Sequence, residues 1–372
     1  MGGELSTRCG AEAPRGLKPT LRRVLITTDA VGGVWRYTLD LAAELARQGV
    51  EVAIASLGPR PSLEQKRQVW RIPGAVLRES DFALEWMPNP WRDVNAAGEW
   101  LLGLESEFSP DLIHLNGYAH AALSWSRPVL VMAHSCVCSW WRAVHGRSPG
   151  REWEEYRRRV ARGLHACDAV AAPSVFMAYA IEREYGVSAQ TVHVIYNFSR
   201  ARICATEAKQ PFFLAAGRAW DAAKNFQLLD RIARRLSWLM KIAATLSYPE
   251  LQREMARAAV FVHPALYEPF GLSVLEAARH RCALVLSDIP SLRELWDHAA
   301  LFVDPRDEDR WIFELDRLSS NRPTCDNLAR LAYSRAAQYS AASAMRQYLS
   351  LYSALLSEPR PLGSGLAQRV AV

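Results

Sequence analysis

Neither an uninterrupted apolar run of membrane-spanning length nor a paired-cysteine pattern occurs in this sequence. The longest charge-poor stretch, residues 112–141, contains Asn116-Gly117 and Arg127-Pro128, so it reads as two buried strands rather than a span, which needs about 20 consecutive apolar residues. The 7 cysteines (Cys9, Cys136, Cys138, Cys167, Cys204, Cys282, Cys325) are odd in number and scattered, which argues against a disulfide framework and for reduced thiols in a cytoplasmic protein. Residues 1–20 lack the apolar core of a signal peptide, and their Gly, Pro and Arg content reads as a disordered lead-in. The 9 histidines show no HExxH spacing and there is no GxSxG elbow, so no metal is assigned and no serine nucleophile is expected. Acidic residues are the scarcer charge, 39 against 45 Lys plus Arg. That excess suits phosphate-bearing ligands or peripheral contact with an anionic membrane, but no motif gathers it, and no nucleic-acid partner is expected.

What is present is an ordinary globular composition, 50% apolar and 23% charged, in 372 residues, a length that fits two domains. From Arg23 the chain runs through a short apolar strand (RVLITTDA), a Gly32-Gly33 turn, an amphipathic helix closed at Gly49 and a second strand (VEVAIASLG). This is a βαβ unit, the element from which helix-covered parallel sheets are built. Further strands are predicted over 111–115, 129–133, 169–172 and 192–196. The pattern breaks between Asn197 and Gln210, where we place a domain boundary, and then resumes with strands at 212–217, 238–244, 259–264, 282–288 and 300–305. Helices are predicted at 225–236, 248–258, 272–280, 292–296, 307–319 and 323–356. The fold class is therefore α/β, two Rossmann-like domains (21–200 and 210–340) whose parallel sheets face a cleft, with a closing helix over 341–357 and a loose tail over 358–372.

Ligands of open parallel sheets bind beyond the carboxyl ends of strands, so residues just after strands carry the functional reading. Gly32-Gly33 either lets backbone amides approach a phosphate or sugar, or makes a tight turn needing positive φ. Gly217-Arg218 and Lys224-Asn225 supply a planar fork and a mobile point charge, suited to a nucleotide diphosphate; solvated cations are the alternative, although positive charge at a helix start opposes the dipole. In Tyr267-Glu268-Pro269-Phe270-Gly271-Leu272-Ser273-Val274-Leu275-Glu276, two carboxylates flank the free amides of a helix start. Such carboxylates accept sugar hydroxyls, or else merely compensate the dipole or face solvent.

In combination these motifs, Glu268 and Glu276 at E-x7-E spacing with Gly217-Arg218, Lys224-Asn225 and Gly32-Gly33, resemble family 4 glycosyltransferases over residues 23–311. The resemblance implies a GT-B fold and retaining transfer of a hexosyl or related sugar, without metal or cofactor. The donor would be a UDP-, GDP- or ADP-sugar held by the second domain, and the partner a hydroxyl-bearing acceptor on the first. It implies that Arg218 and Lys224 hold the diphosphate and stabilise the departing nucleotide, that Glu268 and His134 lie at the donor sugar, and that Glu276 binds the ribose hydroxyls. Gly32, Gly33, Phe270, Gly271 and Leu272 would complete the donor site.

One region departs from the family. Between Lys224 and Glu268 a single strand candidate (238–244) precedes 259–264, so a βα portion reads as missing between 236 and 260. A non-catalytic nucleotide-sugar-binding relative, an epimerase or a phosphorylase on the same fold are the other readings. Asp307-Glu308-Asp309 spells DxD but opens a helix, where acids are favourable anyway. The basic stretch 151–162 (REWEEYRRRVAR) faces an anionic acceptor or membrane, or is a solvated helix face. Trp35, Trp140 and Trp141 suit sugar stacking or core packing.

Overall fold

The computed structural model describes residues 21–201 and 208–357 and contains two all-parallel sheets. The lead-in, the tail and part of the expected boundary lie outside the described residues. The first sheet has the order β3-β2-β1-β4-β5-β6-β7. Its strands are β1 (Arg23–Asp29), β2 (Glu51–Leu57), β3 (Ala75–Glu79), β4 (Leu112–Leu115), β5 (Val129–Met132), β6 (Ala169–Ala172) and β7 (His193–Val194). Its helices are α1 (Gly33–Arg47), α2 (Leu63–Trp70), α3 (Trp91–Phe108), α4 (Val137–His145), α5 (Glu154–Ala166) and α6 (Val175–Tyr185). β1, β4 and β5 are covered on both faces, which is why they read as unbroken apolar runs without alternation. The edge strand β3 (AVLRE) is half polar and only partly buried, so it carries no such signal and escapes the sequence reading. β7 is two residues long, shorter than the predicted 192–196.

The second sheet has the order β12-β11-β10-β8-β9. It contains β8 (Gln210–Ala216), β9 (Leu239–Ala243), β10 (Ala258–His263), β11 (Ala283–Ser287) and β12 (Leu301–Val303). Around it lie α7 (Phe226–Ile232), α8 (Tyr248–Arg257), α9 (Leu272–Arg279), α10 (Pro290–Trp296), α11 (Glu308–Ser319) and α12 (Arg322–Ala336). Among the described residues β9 is an edge strand, with Leu239 63% exposed, and the chain passes from it through residues 244–247 straight into α8. Compared with the six-stranded doubly wound order 3-2-1-4-5-6, no strand lies outside β9 among the described residues.

The predicted helix 323–356 is two helices, α12 and α13 (Ala341–Ser357). Tyr339 fixes the break: its hydroxyl donates to the Leu295 carbonyl at 2.6 Å and its ring packs edge-on against Phe270 at 5.6 Å and Trp296 at 5.7 Å. From there α13 crosses to the first sheet, where Met345, Tyr348, Leu351 and Tyr352 join the core formed by β1, β2 and α1. Further links fasten the halves. The Ser174 hydroxyl donates to the Pro269 carbonyl (2.7 Å), and Glu294 of α10 accepts the Val175 and Phe176 amides at the start of α6, each at 2.8 Å.

In each sheet the strand order reverses beside the first strand, between β1 and β4 and between β8 and β10. Crevices open at such switch points, beyond the strands' carboxyl ends. Asp29, Asn116, Gly217 and His263 mark those ends.

Candidate functional site

Beyond β1 the chain turns at Asp29, whose carboxylate accepts the Val31 amide at 2.8 Å, and reaches Gly32 ahead of α1. Gly32 has φ −163°, extended backbone open to any residue, and Gly33 does not have positive φ either. Positive φ is therefore not the reason for the pair. The reason is close approach: a Cβ on Gly32 would lie 2.5 Å from Arg218 Nη1, and one on Gly33 would lie 3.8 Å from Leu272 Cδ1. The first-sheet loop thus rests directly on two residues of the second half.

Arg218 is aimed by three neighbours. Asp221 accepts its Nη2 at 2.8 Å, the Trp220 ring lies 4.9 Å from the guanidinium carbon, and Gly32 receives its tip. Its Nε is buried without a hydrogen-bond partner among the described residues, an orphan donor of the kind a ligand satisfies. Asp221 is itself fixed by the Trp140 indole (3.0 Å) and the Ala223 amide (3.1 Å). Burial would push its carboxyl up, but Arg218, Trp140 and Lys224 outweigh that and hold it low. Asp221 belongs to no motif and is a site residue that the sequence reading misses.

Lys224 lies beneath Gly217, where an added Cβ would meet its Cγ and Cδ at 3.3 Å. Asn225 makes the sharp turn into α7 in the left-handed region (φ 54°) and pins it by donating to the carbonyls of Pro264 (3.0 Å) and Pro305 (2.9 Å). The Lys224 ammonium then reaches Glu268 Oε2 at 2.6 Å, and the same oxygen accepts His263 Nε2 at 3.0 Å. Burial opposes ionisation of Glu268, yet the ammonium and the imidazole override it and hold the carboxyl well below its usual range. His263 is pushed down by burial, so it stays neutral, and its Nδ1 is a second buried polar atom without a partner. Gly271 adopts φ 86°, with Glu268 Cγ 3.3 Å from where its Cβ would be; a side chain here would strain the turn that ends at Leu272. Phe270 contributes backbone only, because its ring is buried in the second core.

Glu276 is placed differently. Both its oxygens are engaged by protein groups: the hydroxyls of Ser199 and Tyr248 donate to Oε1 at 2.8 Å each, and the Gln252 amide donates to Oε2 at 2.8 Å. Tyr248 in turn stacks 4.6 Å under the Arg36 guanidinium, which pairs with Asp40. Tyr248 and Gln252 belong to α8, the helix that follows the edge strand directly.

His134 follows β5 and donates Nε2–H to Asn116 Oδ1 at 3.0 Å. The tautomer is dictated by Asn116, whose Nδ2 donates to the Thr27 carbonyl at 2.7 Å, leaving Oδ1 as acceptor. Tyr37 lies edge-on to His134 at 4.3 Å, and its hydroxyl bonds His114 Nε2 (3.2 Å) and Tyr348 of α13 (2.7 Å). Burial lowers both His134 and His114 to about 3. The unfolded chain binds these protons near pH 6.5 and the folded one does not, so stability is complete above that value and falls as pH drops from about 6.5 toward 3. Chemical denaturation at pH 7 and pH 5 checks this, and His134→Gln is expected to flatten the slope.

Beside Asn116 a small pocket of about 50 Å³ opens at the carboxyl ends of β1, β2 and β4, lined by Asp29, Glu85, Trp86, Asn116, Gly117 and His120 among others. Burial raises the Glu85 carboxyl against the Tyr118 and Ala119 amides that it accepts. Trp86 stacks on Trp220 across the two halves, at 6.4 Å and 19°. Neither tryptophan was singled out in the sequence. Of those that were, Trp35 packs in the core, Trp140 holds Asp221, and Trp141 lies among His145 and Trp153. Asp307 caps α11 through the Arg310 amide (3.0 Å), and Glu308 and Asp309 pair with Arg231 and Arg235.

Two parallel sheets with facing switch points, joined by a closing helix that returns to the first, define the GT-B architecture. Residues 31–199 match the family described as Glycosyltransferase Family 4, and residues 201–335 match that described as Glycosyl transferases group 1. The O-antigen chain mannosyltransferase RfbU of Salmonella typhimurium is 24% identical over 184 residues, 42% of this chain and 52% of that protein, so the match spans about half of its length. Among solved structures, sucrose-phosphate synthase from Thermosynechococcus elongatus superposes with a TM-score of 0.75 at 15% identity, covering 90% of this chain and 99% of that one. Anabaena HepE in complex with UDP-glucose gives 0.69 at 12% identity, covering 90% and 100%. No described helix is long and apolar enough to cross a membrane.

Proposed function

We propose that this protein transfers a hexosyl or related sugar from a nucleotide-diphosphate sugar to a hydroxyl-bearing acceptor, with retention and without a metal. The observation that carries the reading is the meeting of Arg218, Lys224, the turn ending at Leu272 and the Gly32-Gly33 loop at one crevice between the sheets. A diphosphate there would receive the Arg218 fork, the Lys224 ammonium and the free amides at the start of α9. As the bond between the anomeric carbon and the phosphate oxygen breaks, these groups stabilise the charge on the leaving nucleotide. The acceptor oxygen forms the new bond, and its proton leaves with the diphosphate. Glu268, kept ionised by Lys224 and His263, and His134, kept neutral by burial, face the donor sugar in this reading. The acceptor approaches over the first sheet, beside Glu85, Trp86 and Asn116, and the ribose hydroxyls replace Tyr248 and Ser199 on Glu276. The free thiols of Cys136, Cys138, Cys167, Cys282 and Cys325 support a cytoplasmic setting.

A panel of nucleotide sugars, assayed for binding and for release of the nucleoside diphosphate, tests the proposal; folded protein that binds none of them contradicts it. Lys66→Ala is the matched control, since Lys66 is already paired with Glu79 of the edge strand β3 and is expected to leave donor binding unchanged. The saturated hydrogen bonding of Glu276 and the edge position of β9 among the described residues favour one alternative, binding without transfer. Donor binding with no product across many acceptors would identify it, and product analysis with and without added phosphate separates epimerisation and phosphorolysis.

A further inference from the structure

The basic stretch at α5 has no part in the proposed transfer, and its placement is unusual. Gly163 of α5 presses on the turn at residues 118–119 so closely that a Cβ there would lie 1.9 Å from the Tyr118 carbonyl oxygen. That approach lays one face of α5 over the short helical turn Ala119–Ala122 and beside α3, and between them lies a groove of about 240 Å³. Arg158, Arg159 and Arg162 line it together with Asn95, over a floor of Ala119, Ala122 and Leu123, and no carboxylate is among the lining residues.

We propose that this groove binds a phosphate-class oxyanion, carried by a phosphate ester. Two of the guanidiniums share one carboxylate, Glu155, which pairs with Arg158 at 2.7 Å and Arg159 at 2.6 Å. Three cations against one anion leave an excess of two positive charges. Arg162 is exposed and, among the described residues, has no ion-pair or hydrogen-bond partner. Arg159 is held in place: it donates to Asn95 Oδ1 at 2.7 Å and lies 4.7 Å over the Trp91 ring, so its fork is oriented before any ligand arrives. Planar guanidiniums at helical spacing match the tetrahedral oxygens of phosphate, and their charge-assisted bonds are stronger than neutral ones. The apolar floor fits the carbon portion next to such a phosphate. His120 lines both this groove and the cavity at Glu85 and Asn116, and burial keeps it neutral, so the excess charge lies on the arginines alone.

The chemistry is shared by a soluble phosphate ester and a phospholipid headgroup, and the test separates them. The full chain is titrated with inorganic pyrophosphate by calorimetry, as wild type, as Arg158→Ala/Arg162→Ala and as Lys224→Ala. Both arginines are exposed, so the double variant is expected to keep the wild-type unfolding midpoint. It is expected to bind at the groove at least tenfold more weakly, with a strong dependence on salt. Pyrophosphate binding unchanged by the double variant, or abolished entirely by Lys224→Ala, overturns the proposal. Loss in the double variant together with no effect of Lys224→Ala supports the groove and instead defeats the donor-site reading. Co-sedimentation with phosphatidylglycerol-containing vesicles, against phosphatidylcholine alone, then names the source: arginine-dependent capture indicates a headgroup, and its absence beside retained pyrophosphate binding indicates a soluble ester.

Discussion

Lys224→Ala is expected to lower sugar transfer by about 100-fold or more, the effect of removing a preorganised charge from a leaving group. Affinity for the nucleoside diphosphate should fall with it, whereas Lys66→Ala changes neither. The substitution has a second consequence, because Lys224 neutralises Glu268 in a nearly dry setting, the two side chains being 15% and 12% exposed. Breaking such a pair costs about 3–5 kcal/mol. His263, still 3.0 Å from the stranded carboxylate, would then take up a proton more readily than in the wild type. The folded pKa of His263, depressed by burial, then lies nearer its unfolded value, so the loss of stability on going from pH 8 to pH 6 should be smaller in the variant than in the wild type. Denaturation at the two pH values, alongside nucleotide titration, separates the catalytic loss from the structural one.

Gly163→Ala is expected to destabilise the fold by about 3 kcal/mol or more, a large effect for one methyl group. The added carbon meets backbone, the Tyr118 carbonyl oxygen, and cannot be relieved by a side-chain rotation. Gly32→Ala offers the contrast. The atom it meets is the tip of Arg218, which swings aside at little cost, so stability should hold while diphosphate binding weakens. Thermal unfolding of both variants tests the pair; equal melting temperatures for Gly163→Ala and wild type would contradict the close packing of α5.

Much of this architecture was legible because buried parallel strands are unbroken apolar runs closed by glycine or aspartate. β1, β8 and β11 read that way, ended by Asp29, Gly217 and Asp288, while β4, β5 and β10 are largely apolar runs ended by Asn116, Ala133 and Pro264. Edge strand β3 did not, since its solvent-facing Arg78 and Glu79 erase the signal. The division of α12 from α13 was hidden because the turn is set by a tertiary anchor, Tyr339, and not by glycine or proline. In the site, Arg218, Lys224, Glu268 and the glycines stood out because they follow strands. Asp221 and Asn116 did not, because each acts through a partner on another element, Trp140 and His134; His263 did not because it ends a strand as an apparent core residue, and its bond to Glu268 forms only once the turn after β10 folds back. The engagement of Glu276 by Ser199, Tyr248 and Gln252 was equally invisible, since it depends on where α8 lands after the edge strand.

A crystal structure with a nucleoside diphosphate bound would decide whether the two halves hold one diphosphate between them. The phosphates are predicted to lie within hydrogen-bond distance of Arg218, Lys224 and the amides of residues 270–272, against Gly32 and Gly33. A diphosphate seated elsewhere, with Lys224 still directed only at Glu268 and Arg218 only at Asp221, would contradict it.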